Sequence, residues 1–123
     1  VNYFVHDAVN EPLPTGFDVV TCSLFLHHLS EDDARTLFAN MQRATNHLLL
    51  VNDLSRSRLN YCAVWFACRL LSRSRVVHYD GPVSVRSAFT PQEAVALATQ
   101  AGLAGAQVQK KFPARFLLSW RRA

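Results

Sequence analysis

The chain has 123 residues, half of them apolar, with thirteen basic and nine acidic side chains for a net charge of +4. That length suits one domain with one core and leaves no room for a second. No apolar run approaches the ~20 residues that span a bilayer, and no signal-peptide pattern opens the chain, so a soluble protein is expected.

Residues 1–8, VNYFVHDA, read as a strand ending at Asp7. It starts without a polar lead, so a segment upstream is expected. NEPLPTG, with two prolines and a glycine, is a loop. Residues 17–26, FDVVTCSLFL, form a continuous run of strand formers, as expected for a strand covered on both faces of a parallel sheet. Cys22 within it reads as a small core residue. The three cysteines, Cys22, Cys62 and Cys68, are odd in number and lack CxxC spacing. Neither a disulfide framework nor a metal site is expected, and a reduced cytoplasm is the expected compartment.

Two histidines, His27 and His28, close that run. Ser30 then opens SEDD, where its hydroxyl can cap a helix and Asp33 can reach back to the backbone. Three carboxylates in the first turn suit the positive end of the helix dipole. Leu37, Phe38 and Met41 make the apolar stripe. Residues 47–53, HLLLVND, are a second short buried strand. From 55 to 75 an arginine-rich segment carries Tyr61, Val64, Trp65, Cys68 and Leu71 at spacings of three and four, which predicts an amphipathic helix. The arginines here, with Arg121 and Arg122, read as a solvated basic face or as a site for an anion. Only charge and the neighbouring Tyr61, Trp65 and Phe66 speak for nucleic acid, so none is expected as a partner. Residues 78–89 are a loop. Thr90, Pro91 and Glu93 restart a helix with a capping box, and Gly102 stops it. AQVQKKF and ARFLLSW are strands joined by a link short enough to make them antiparallel.

The expected class is α/β, one domain over residues 1–123, with a C-terminal antiparallel strand pair. This order, with these words in it, resembles the C-terminal half to two-thirds of a class I S-adenosylmethionine-dependent methyltransferase. VHDA is similar to the end of that family's third strand, FDVVTCSLFLHHL to its fourth strand and turn, HLLLVNDL to its fifth, and AGLAGAQVQKKFPARFLLSW to its closing helix and hairpin. The resemblance implies a partial Rossmann-like sheet cut from the order 3-2-1-4-5-7-6, and a ligand beyond the C-terminal strand ends. It implies S-adenosyl-L-methionine as cofactor in the complete enzyme, touched by Asp7, Ala8, Ser23 and Leu24. Asp7 would accept from the adenine amino group, although an acid starting a loop also bonds its own backbone.

His28, next to the helix, could act as a general base, with His27 a packed residue; methyl transfer to a good nucleophile needs mainly alignment. Residues 57–89 correspond to an insertion that forms an acceptor pocket in the family. Tyr61 and Trp65 would supply walls, and Tyr79 or Arg86 a polar anchor, for a small lipophilic or aromatic acceptor. A core-packing helix stripe is the plainer reading of the same aromatics.

The family's glycine-rich loop has no counterpart among Gly16, Gly81, Gly102 and Gly105. The chain alone is therefore expected to be inactive and to bind the cofactor weakly at best. The alternative is a non-catalytic, methyltransferase-like interaction module. In either case strand 17–26 lacks its family neighbour. Residues 1–6 are expected to dock on it, or two chains to form a homodimer there.

Overall fold

The computed structural model describes residues 1–56, 58–71, 88–111 and 115–123; within 58–71, the side chains described are those of Cys62 and residues 65–70. The expected loop over 78–89 lies almost wholly outside the described residues, as does the helix expectation beyond residue 71.

Strand β1 (Phe17–Ser23) leads through a 3₁₀ turn (Leu26–His28) into helix α1 (Glu31–Ala44), which passes directly into strand β2 (Thr45–Leu54). Helix α2 (Arg58–Leu71), helix α3 (Pro91–Gln100) and strands β3 (Gln107–Lys111) and β4 (Arg115–Arg121) follow. The sheet order is β1-β2-β4-β3. β1 runs parallel to β2, and β4 is antiparallel to both β2 and β3. This is the 4-5-7-6 portion of the order the resemblance implies, so the α/β class and the closing hairpin stand.

Local chemistry sets the helix ends. The Ser30 hydroxyl accepts from the Asp33 N–H at 3.2 Å, but no bond returns from the Asp33 carboxylate, so only half of that box forms. At α3 the box is complete, with Pro91 in the first turn. Gly102 takes φ +105° just past the helix, a conformation most side chains resist. At the C-terminus of α1, Arg122 does what a cation does best there. Its guanidinium donates to the Gln42 and Thr45 carbonyls at 2.6 and 3.0 Å, and its N–H bonds the His47 carbonyl. Arg122 therefore ties the last strand to the first helix, where the sequence had suggested a solvated face.

The core lies on one face of the sheet. Leu37, Phe38 and Met41 of α1 and Ala94, Leu97 and Ala98 of α3 pack against Leu49 and Val51 of β2 and Phe116, Leu118 and Trp120 of β4. Alternation along β2 and β4 sends these residues to the helices. Their neighbours Leu48, Leu50 and Leu117 are only half-buried.

Three sequence expectations are corrected. Residues 1–6 form no strand, because no strand among the described residues pairs with them, and an unpaired segment gains nothing from an extended backbone. β1 is not covered on both faces: Val20 and Cys22 pack toward the helices, while Phe17 and Val19 are 53% and 50% exposed. The strand also ends earlier than expected, at Ser23, because Leu24 adopts φ +54° and turns the chain.

Candidate active site

β1 and β2 end side by side, with Ser23 paired to Asn52. In a parallel α/β sheet this is the side on which ligands bind. The chain leaves β1 through Leu24, whose N–H bonds the Asn52 carbonyl at 2.9 Å. A left-handed backbone at a leucine costs on the order of 1 kcal/mol, and such strain persists only where the surroundings impose it.

Asp53 imposes it. Its side chain is 1% exposed and lies beneath the turn. One carboxylate oxygen accepts the N–H groups of Phe25 and Leu26 at 3.0 and 2.6 Å. The other accepts the Leu54 N–H at 2.8 Å and meets His27 Nδ1 at 2.6 Å. A carboxylate this buried is costly unless surrounded by donors, and here every contact is one. Nδ1 is thus placed to donate to the carboxylate, which in the neutral tautomer leaves the lone pair on Nε2. Nε2 has no hydrogen-bond partner among the described residues.

The two histidines separate as neighbours on a turn must. His27 is buried at 8% exposure, and His28 is exposed, with ring centroids 4.0 Å apart. His28 is fixed by its backbone N–H to the Phe25 carbonyl and by that ring contact. Cys22, one residue before Ser23, has its thiol pushed up to about 11, first by burial and then by the charge of Asp53.

Ser23, Leu24 and His28 are thus brought to one strand end. Asp7 and Ala8 belong to a separate turn. Both Asp7 carboxylate oxygens are engaged locally, with the N–H groups of Val9 and Asn10 at 3.1 and 3.0 Å and the Asn10 side chain at 2.8 Å. These bonds, the Asn10 side chain foremost, hold its carboxyl below the usual aspartate range. The buried Asn40 of α1 staples this turn by donating to the carbonyls of Ala8 and Val9. Trp65 lies on α2 and is partly exposed. The side chain of Tyr61, and all of Tyr79 and Arg86, lie outside the described residues. Asp53 was not identified from sequence, although an acid ending one apolar strand and a histidine just beyond the end of another were both legible. Only the parallel register joins them.

No protein-family model and no curated protein matches the sequence. Solved structures do match its fold. Human N-acetylserotonin methyltransferase, in complex with S-adenosylmethionine, is 17% identical with a TM-score of 0.64, over 96% of this chain and 32% of its own. The S-adenosylmethionine-dependent methyltransferase SibL is 14% identical with a TM-score of 0.68, over 97% and 35%. The pyocyanin biosynthetic protein PhzM is 18% identical with a TM-score of 0.64, over 96% and 34%. At these identities the likeness is one of fold, and the chain spans about a third of the length of each structure.

Proposed function

We propose that the chain is the acceptor-side part of an S-adenosylmethionine-dependent methyltransferase acting on a small lipophilic or aromatic acceptor. The observation that carries this reading is the turn after β1, where Asp53 fixes a strained backbone and an oriented histidine at the ligand-binding edge of a methyltransferase-type sheet.

The residues present fit one side of the cofactor. Ser23 and Leu24 offer exposed atoms at the strand end, while Asp7 keeps acceptor capacity for an adenine amino group only beyond the three bonds it already accepts. The chain's four glycines are too scattered to form a glycine-rich loop for the methionine moiety, so the opposite wall must come from elsewhere. The cofactor's sulfonium supplies the methyl group. His27, with Nδ1 held by Asp53, is the better oriented base for an acceptor hydroxyl, through Nε2. His28 contacts the acceptor from the exposed side of the turn. Trp65 and Tyr61, with Tyr79 and Arg86, remain assigned to the acceptor pocket, and the chain by itself is inactive.

The test is transfer of a labelled methyl group by the chain extended upstream to a complete domain, against a panel of phenols and quinols. The reading expects labelled product, lost by roughly a hundredfold in His27→Ala. Absence of cofactor binding by the extended chain contradicts it.

The edge of β1, unpaired among the described residues and with Phe17 and Val19 exposed, favours a second reading: a non-catalytic module that pairs through residues 17–26, as a homodimer or with a complete methyltransferase. Cofactor binding by the extended chain separates the two.

A further inference from the structure

Phe25 stands on the turn after β1 with no place in the core and no part in the reaction above. Along β1, Val20 and Cys22 pack toward the helices while Val19 faces away, as strand alternation requires. One step further, that alternation would turn Leu24 inward. Its φ of +54° breaks the pattern, and Leu24 and Phe25 both come out exposed, at 41% and 37%, while the next residue, Leu26, is fully buried. Two adjacent large apolar side chains are thus kept out of the core by a backbone conformation that leucine resists, at the strand end where ligands bind in such sheets. Asp53 makes the position rigid. One of its carboxylate oxygens holds the Phe25 and Leu26 N–H groups at 3.0 and 2.6 Å, and the other meets His27 Nδ1 at 2.6 Å. The Phe25 carbonyl accepts the His28 N–H at 3.0 Å. Phe25 is therefore anchored through both of its backbone groups, and it shares one buried carboxylate with the histidine base. Among the described residues no aromatic ring or cation stacks on the Phe25 ring.

We propose that Phe25 is a specificity-determining residue, its ring forming the wall on which the acceptor's aromatic ring lies while the acceptor hydroxyl meets His27. This rests on the methyl-transfer reading above. Backbone strain that the surroundings impose is concentrated where a protein binds or reacts, and here it exposes an apolar pair that folding alone would bury. A side chain on a pinned backbone has little freedom left to lose on binding. Contact between two rings adds to the apolar area that any acceptor would bury there. An aliphatic alcohol gains only the area. The acceptor class this wall selects is therefore a phenol- or quinol-type ring.

The experiment compares Phe25→Leu, which keeps apolar bulk without the ring, with Phe25→Tyr, which keeps the ring, in the chain extended upstream to a complete domain. Transfer of the labelled methyl group to the panel of phenols and quinols gives KM and kcat separately. Phe25→Leu should raise KM roughly tenfold and leave kcat within about twofold, while Phe25→Tyr should hold KM within about twofold of the parent. Calorimetric affinity for S-adenosylmethionine should stay within about twofold in both. The 123-residue Phe25→Leu chain should unfold within about 3 °C of its parent. An unchanged KM in Phe25→Leu overturns the proposal and leaves the methyl-transfer reading intact. Equal loss in the two variants, or a loss that follows kcat or the unfolding midpoint, makes Phe25 a structural residue and also overturns it. Weaker cofactor binding by Phe25→Leu would set the ring against the cofactor, contrary to the proposal. No transfer by the parent chain removes the methyl-transfer reading and this proposal with it.

Discussion

Asp53 holds together more of the candidate site than any other side chain. Replacing it with alanine would strand the part-buried Phe25 N–H and the buried Leu26 N–H and release His27. The expected cost is about 3 kcal/mol, read as a lower denaturation midpoint, and Asp53→Asn, which keeps one acceptor oxygen, should lose less. Unchanged stability in Asp53→Ala would mean that the turn stands without its carboxylate. Cys22 offers a second check. With its thiol at about 11 and partly buried, it should alkylate at pH 8 far more slowly than exposed Cys62, as seen by mass spectrometry. Because the folded value lies above the unfolded one, the stability this thiol contributes is intact below about 9 and is lost as pH rises toward about 11. Equal labelling of Cys22 and Cys62 would contradict the packing of β1. Asp7 acts at the other end of the scale. Its depressed carboxyl contributes stability above the ordinary aspartate value that is lost as pH falls through its folded one, so Asp7→Asn should lower stability at neutral pH and converge with the parent in strong acid. The pairing of Asp53 with His27 was not legible in the sequence, because 26 residues separate them and only the alignment of Ser23 with Asn52 brings them together.

At the scale of elements, legibility followed local rules. The caps at Ser30 and Thr90 and the stop at Gly102 depend on residues within one turn, and each was readable as such. Thr90→Ala should cost about 1 kcal/mol by removing the acceptor of the Glu93 N–H. A heat-unfolding midpoint indistinguishable from the parent would show that tertiary packing alone sets the start of α3. Arg122 obeys a long-range rule instead. Its bonds to Gln42, Thr45 and His47 arise because β4 lies antiparallel beside β2, which brings the chain's end to the end of α1. Composition alone could read it only as charge. The expected strand over residues 1–6 failed for a related reason, since β-propensity describes a residue that has a neighbour to pair with, and no strand among the described residues pairs there.

For the whole molecule, the fold follows from elements in order, while function depends on what meets two open surfaces. One is the edge of β1, with Phe17 and Val19 exposed and no strand beside it among the described residues. The other is the strand-end side, where Ser23, Leu24 and His28 are exposed beside the buried His27. Both follow if the chain supplies the 4-5-7-6 part of a methyltransferase sheet and other residues supply the rest. The direct measurement is calorimetric titration of S-adenosylmethionine into the 123-residue chain and into the chain extended upstream to a complete domain. The account predicts no measurable binding by the first and binding in the micromolar range, about −8 kcal/mol, by the second. Micromolar one-to-one binding by the 123 residues alone, or none by the extended chain, would contradict it.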